Sequence, residues 1–430
     1  RFTIVILDNA LNQAIPVFRA LATVWWLWLL IFLVPAALAI WLAYIRELFR
    51  LTQFDWAMYE IVIPRELRKT PKAMEQVFQA IFYLQNSPSS AKEKWWDGEV
   101  TMWFCFEVVS FGGEIHFYLR IPRRHSDIVL SAIYAHYQDV EIKEVAEDYI
   151  YRFPRSYDEL AGMGHDIFGN ELRLTAPDVY PIRTYVDFEA PVEERELDPV
   201  SALLGLLSKC KPDQHLWLQM LIRPTVDDSW KKESEEVIKE FKERTARMSK
   251  ESEFVGQLIF IERTPGQTET MKALERTLAK PAFETIIRYL MIAPKKALDV
   301  NFAQRGVLAV FNQYATAGWN KFGHNYAAWT RASWWFWPYF FPKKRQLYRK
   351  RNIYRNYRVR RMYETDTTTR FLEGGLKSAN MGRMILNVEE LATIFHLPTY
   401  LVMTGPLIRR IESRRVGPPA ELPIFEEEEG

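Results

Sequence analysis

The sequence predicts an α+β protein: an N-terminal transmembrane helix, then tandem ferredoxin-like (βαββαβ) units, then a helical, basic-aromatic C-terminal segment. Three observations predict it. Residues Ala20 to Ile45 carry no charge. From Trp56 to about residue 150, and again from about 180 to 293, strand-like and helix-like stretches follow the order strand, helix, strand, strand, helix, strand. From Lys343 to Arg361 there are ten Lys or Arg and no acid.

At 430 residues the chain is long enough for several folding units, each burying a core. Its 48% hydrophobic and 26% charged content is that of a globular protein, and the 15 Trp need cores or a membrane boundary to occupy. A net charge of +2 gives no general attraction to nucleic acid or anionic lipid, so any such binding is local. Cys105 and Cys210 form no C-x-x-C spacing, which argues against a disulfide framework or a zinc site.

Residues 1–19 form an N-terminal flank and residues 20–45 the transmembrane helix. About 20 apolar helical residues cross a bilayer core. Trp25, Trp26 and Trp28 near one end, with Trp41 and Tyr44 near the other, fit aromatic belts, and Pro35 is tolerable within a membrane helix. The run is longer than a signal-peptide core of about 7–15 residues, so it is expected to remain as an anchor. Arg46 and Arg50 after the span, against Arg19 before it, predict a single-pass protein of the inner membrane with a cytoplasmic body.

Residues 52–150 are read as the first ferredoxin-like unit, with strands over 56–63, 101–110, 114–121 and 140–149 and helices over 71–84 and 126–137. Gly112 and Gly113 signal the hairpin between the central strands, and Ser126 is a helix cap. Residues 151–179 read as a linker with a short extra strand. Residues 180–299 read as the second unit: strands 180–188, 215–224, 254–262 and 282–293, helices 198–209 and 268–279, and Asp198 as cap. Its insertion, 228–253, is dense in Lys and Glu and predicts an exposed charged helix or helical hairpin. Residues 300–414 form the helical and basic-aromatic segment, opening with a helix from Val300 to Phe322. Residues 415–430 form a Pro-rich linker and acidic tail.

The basic run supplies the candidate contact residues: Lys343, Lys344, Arg345, Arg349, Lys350, Arg351, Arg355, Arg358, Arg360 and Arg361. Interleaved Tyr348, Tyr354 and Tyr357 suit a surface where guanidinium groups meet phosphates while rings stack. The aromatic stretch from Trp334 to Phe341 just before it equally suits a bilayer surface carrying lipid phosphates. A third reading makes the run a folded segment whose rings fill a core and whose Arg residues pair with acids elsewhere. His116, His125 and His136 lie close in sequence but in different predicted elements, without Cys or carboxylates at ligand spacing. The stretch at 374–378, GGLKS, lacks the spacing of a phosphate loop, and hydrolase motifs are absent. Asn387 with Glu390 reads as a capping box. The residues therefore predict no enzyme, no catalytic residue, no cofactor and no metal.

The segment ILNVEELATIFHLPTYLVMTGPLIRR, with RRVGPPAELP after it, resembles the region just before the motor in membrane-anchored DNA-translocating ATPases related to type IV secretion and conjugative coupling proteins. Asp198-Pro199 with its helix, Gln219 to Pro224 and the Asn320-Lys321-Phe322 context are similar to the same family. The resemblance implies a non-catalytic assembly module that acts with an ATPase in cis or in trans, since the chain stops at Gly430 where that motor would begin. Its implied partners are the lipid bilayer, the ATPase or other secretion components, DNA, and a second copy of itself. A nucleic-acid-binding module using residues 343–361 is the alternative.

Overall fold

In a computed structural model of the chain, residues 25–64, 69–86, 90–188, 198–225, 229–251, 264–331, 340–363, 383–399 and 410–411 are described, with positions 16, 23, 67 and 88 between them. The chain divides into two compact units.

The first unit comprises residues 1–54, 88–100 and 364–379. It contains α1 (Trp25–Gln53), which continues through Arg46, Glu47 and Arg50. Its Ala39, Leu42 and Ile45 are buried, Trp41 packs on Trp96 with ring centroids 6.0 Å apart, and Gly98, at φ 67°, lies where a Cβ would come within 2.7 Å of the Ile45 backbone. Among the described residues no helix is long and apolar enough to cross a membrane. This overturns the expected transmembrane helix over 20–45, and with it the single-pass inner-membrane placement with a cytoplasmic body. Two features account for the difference. The helix does not stop at the polar end of the apolar run, and one side of it is covered by protein. Residues 20–22 and 24 lie outside the described set.

In the second unit the elements run β1 (Trp56–Pro64), α2 (Pro71–Phe82), β2 (Phe104–Phe111), β3 (Glu114–Pro122), α3 (Ser126–His136), β4 (Glu141–Glu144), α4 (Tyr157–Gly162), β5 (His165–Leu174), α5 (Tyr185–Phe188), α6 (Ser201–Leu207) and β6 (His215–Pro224). They continue α7 (Ser229–Glu251), α8 (Pro265–Leu278), β7 (Ala282–Pro294), α9 (Val300–Asn312), β8 (Phe322–His324), α10 (Pro342–Arg358), β9 (Arg383–Asn387), α11 (Val388–Ile394) and β10 (Arg410–Ile411). The strands form one sheet in the order β10-β1-β3-β2-β6-β7-β5-β8, with β4 also on β1 and β9 also on β7. Every pairing is antiparallel except the two-residue one between β1 and β10.

This corrects the expected tandem of separate ferredoxin-like units over 52–150 and 180–299. β2 pairs along its whole length with β6, from Phe104 opposite Ile222 to Phe111 opposite His215, so the two halves share a sheet. Both strands are long and apolar, and an open edge on either would invite pairing with another chain. The expected strand over 180–188 does not form. Its backbone donors go elsewhere: Ile182 N to Glu390 Oε1 at 3.0 Å, Thr184 N to Asp187 Oδ2 at 2.9 Å, and Tyr185 N to Thr393 Oγ1 at 2.9 Å. The place in the sheet is taken by β5, which falls inside the expected linker and pairs with β7. The expected strand over 254–262 lies outside the described residues, as do 415–430 and most of the aromatic stretch before Phe340.

Helices cover both sheet faces, which is why the strands read as nearly continuous apolar runs. On one face Phe106 meets Phe78 of α2 at 5.1 Å and Phe395, just past α11, at 5.0 Å. On the other, Val109, Trp217, Leu290 and Ile292 pack with Tyr149, Leu160 and the α10 residues Ile353, Tyr354 and Tyr357. The charged insertion forms α7 as the composition predicts, but it is not wholly solvated: Ile238 is buried with Val179, Met271 and Leu274, and Val237 and Phe241 pack against that cluster.

Candidate functional site

The basic run folds as α10 and the turn that follows it. With no acid from Lys343 to Arg361, the helix has no i,i+4 ion pairs of its own. Each cation must find a partner across the fold or face water, and the run divides on that choice.

One side of α10 is an anchor. Ile353, Tyr354 and Tyr357 are buried, and Tyr357 lies 5.6 Å from the Trp217 ring. Lys350 Nζ reaches both oxygens of Asp166, at 2.6 and 2.7 Å. Arg358 Nη1 donates to the carbonyls of Ile150 and Phe153 at 2.9 and 3.1 Å, and Arg349 Nη1 to those of Trp329 and Arg331 at 3.2 and 3.0 Å. Burial, with Arg345 nearby, lowers the Arg349 pKa. Arg345 donates from Nε to the Phe340 carbonyl at 2.6 Å, and Arg361 is half-buried.

Arg360 goes deepest. At 1% exposure it is inside the protein, held in a left-handed conformation at φ 50° that closes the helix. Its Nε and Nη2 donate to the two oxygens of Glu107 at 2.7 and 3.0 Å, and Nη1 and Nη2 both bind Asp148. Burial opposes its charge, but Glu107 and Asp148 outweigh burial and raise its pKa well above the ordinary value.

Glu107 is one position in a polar row that crosses the sheet. Cross-strand register sets Glu60 opposite Tyr118, Tyr118 opposite Glu107, Glu107 opposite Gln219, Gln219 opposite Arg288 and Arg288 opposite Glu171. Residues directly opposite share a face, so these side chains stand in line beneath α10. Glu107 accepts from Tyr149 Oη at 2.7 Å, Gln219 Nε2 at 2.8 Å and Cys105 Sγ at 3.1 Å as well as from Arg360. Arg288 donates twice to Glu171 Oε1, at 2.9 and 2.7 Å, and from Nη1 to Gln219 Oε1 at 3.1 Å. Tyr363 Oη donates to the same Glu171 oxygen at 2.8 Å. The buried charges of the row, Glu107, Glu171, Arg288 and the incoming Arg360, each have their opposite, as buried charges require.

Four candidates remain on the open side. Lys343, Lys344, Arg351 and Arg355 are exposed, as are the rings of Tyr348, Phe340 and Phe341. Arg351 pairs with Asp158 at 2.9 Å, but both side chains are more than half exposed, and such a pair is worth at most about 1 kcal/mol. Lys344 Nζ lies 5.5 Å from the Phe341 ring centroid. Lys343 and Lys344 occupy the first turn of α10, where the helix dipole disfavours cations. Helix stability therefore gives no reason for their charge.

A family model described as Domain of unknown function (DUF8128) matches residues 56–320, more than half of the chain. The chain belongs to the DUF8128 family. No curated protein matches it. The matched DUF8128 region supplies Glu107, Glu171, Gln219 and Arg288, whereas Arg360, Tyr357 and Tyr363, which close the polar row, come from the chain after it. Sequence reasoning missed the row. Glu60 and Glu107 are lone acids among apolar strand residues, and that signal is present, but the register that aligns them with Gln219, Arg288 and Glu171 is not.

The segment carrying the family resemblance is structural in this DUF8128 chain. Asn387 and Glu390 form the expected capping box of α11. Lys280 Nζ joins Glu389 and Glu75 at 2.5 and 2.6 Å, and Arg276 also pairs with Glu389. Asp198, read as a helix cap, also receives His396 Nε2 at 2.8 Å and Thr399 N at 3.0 Å. Burial raises its carboxyl pKa, but His396 and these donors outweigh burial and hold it below its usual range.

Proposed function

We propose that this protein is a non-catalytic nucleic-acid-binding module that holds DNA phosphates on the exposed side of α10, within a translocation assembly whose ATPase is supplied in cis or in trans. The observation that carries the reading is the division of the basic run: Lys343, Lys344, Arg351 and Arg355 stay exposed, no acid lies within the run, and the pair that Arg351 makes with Asp158 is more than half exposed on both sides. Surface cations grouped on one rigid helix displace counterions from a phosphate backbone, and the anchored half fixes their spacing. The assembly context rests on the resemblance of the segment 385–410, above all Leu386 to Pro398, to coupling-type ATPases. No catalytic step is assigned to this chain, because Glu107, Glu171, Arg288 and Arg360 are consumed by one another and closed from solvent.

The test is fluorescence anisotropy on a labelled duplex, comparing wild type with the K343A/K344A/R351A/R355A variant. The expected result is a loss of at least about tenfold in affinity at low salt, from four lost phosphate contacts, with the urea midpoint close to that of wild type. A variant that binds like wild type would remove α10 as the interface.

A further inference from the structure

A cavity of about 430 Å3 lies between the end of β5, one side of α7 and β9. Its size falls within the roughly 300–1,000 Å3 of small-molecule sites. It is separate from α10, and neither the family assignment nor the DNA reading accounts for it. Trp230, Glu233, Ser234 and Val237 line it from α7 at i, i+3, i+4 and i+7, the spacing of one helix face. Opposite them stand Arg173, Leu174, Asp178 and Val179.

The charges in this cavity are left open. Among the described residues the Arg173 side chain has no hydrogen bond or ion pair, and its Nε is shielded from solvent without an acceptor, a state that destabilises a buried donor. The other guanidinium in the lining, Arg383, is engaged by Glu284 at 2.6 Å. Asp178 accepts Ile385 N at 3.0 Å through Oδ2, which leaves Oδ1 unengaged, and burial pushes its carboxyl up to about 6. Glu233 is exposed and has no ion pair. Among the described residues, one unpaired guanidinium and two acids thus line the same space, and Arg173 stands too far from either acid for an ion pair.

We propose that the cavity binds a small zwitterion of the free amino-acid class, its carboxylate on Arg173, its ammonium on Asp178 and Glu233, and its apolar body against Leu174, Val179, Val237 and Trp230. A zwitterion satisfies both charge signs at once, whereas a simple anion would meet two carboxylates and a simple cation would meet the guanidinium. The carboxylate gives the Arg173 guanidinium the counter-charge that it lacks, and a charge-assisted pair with a guanidinium is among the stronger hydrogen bonds in proteins.

Isothermal titration calorimetry on the full chain tests this with L-phenylalanine and L-leucine as probes, beside N-acetyl-L-phenylalanine and L-phenylalanine amide. The expected result is saturable binding of at least one free amino acid, weakened at least about tenfold in both derivatives, since each lacks one of the two charges. Arg173→Gln and Asp178→Asn are each expected to weaken binding to a similar degree. No heat from either amino acid at millimolar concentration would overturn the proposal, and so would a derivative that binds as tightly as its parent. The derivatives test both charges on the wild-type protein, so the result stands even if a variant fails to fold.

Discussion

Replacing Arg360 with methionine is expected to destabilise the second unit by about 3–5 kcal/mol, the usual effect of removing one partner from a buried ion pair. The size follows from what remains. Glu107 is 0% exposed, and without Arg360 it keeps a negative charge among Phe, Val and Trp side chains with only neutral donors around it. Asp148 loses the same cation. Methionine fills the stem of arginine but carries no charge, so lost packing adds little. The double variant Glu107→Gln/Arg360→Met should recover part of the loss, because no buried charge is then stranded, and urea titration of the four proteins measures that coupling.

The pH dependence carries a sign that identifies the cause. In the native protein burial pushes the Glu107 carboxyl up, but Arg360 and the hydrogen bonds from Arg360, Tyr149 and Cys105 outweigh it and leave the pKa lowered from 4.5. A lowered folded pKa means the pair's stability is present above the ordinary carboxylate range and is lost as pH falls through the lower folded value. In the methionine variant the largest charge that opposes burial is gone, so protonation of Glu107 relieves the strain. The gap in stability between wild type and variant should therefore narrow as pH falls. A gap that stays constant with pH would trace the effect to packing instead.

Replacing Arg288 with methionine should have the second largest effect, again about 3–5 kcal/mol, because Arg288 and Glu171 are 0% and 1% exposed and Arg288 donates twice to one Glu171 oxygen. Tyr363 would remain as a neutral donor to Glu171. Gln219 links the two pairs: its Nε2 donates to Glu107 and its Oε1 accepts from Arg288. The R288M/R360M double variant should therefore fall short of the sum of the single effects, as residues in one network do. Additive urea midpoints would mean that the two pairs act independently and the row is not continuous.

The strands β1, β2, β3, β6 and β7 were legible because apolar and β-branched residues run through them between turn signals. The hairpin at Gly112 and Gly113 was legible for the same reason: both take positive φ, 61° and 98°, and a Cβ on Gly112 would approach the Pro212 carbonyl at 2.7 Å. The stretch that holds β5 reads as a linker with only a short extra strand because Gly and Pro punctuate it, and the full ten-residue strand buries Glu171 against Arg288, more than a hundred residues further along the chain. Residues 180–188 alternate like a strand, yet side chains from α11 take their backbone donors. The basic run leaves three readings open in the sequence, a nucleic-acid surface, a lipid surface and a folded segment whose Arg residues pair with distant acids, and composition alone does not divide its ten cations among them. Arg360 differs from its neighbours because Glu107, 253 residues away, sits opposite it, and no local pattern encodes that meeting.

The division of the basic run is tested most directly by the salt dependence of DNA binding. With four exposed cations on the backbone, log Kobs against log salt should fall with a slope of about −3.6, at roughly −0.9 for each neutralised phosphate of a duplex. Neutralising Lys343, Lys344, Arg351 and Arg355 should flatten that slope towards zero while the urea midpoint stays near that of wild type. A wild-type slope near zero, or a steep slope unchanged in the variant, would contradict the assignment of DNA to the open side of α10.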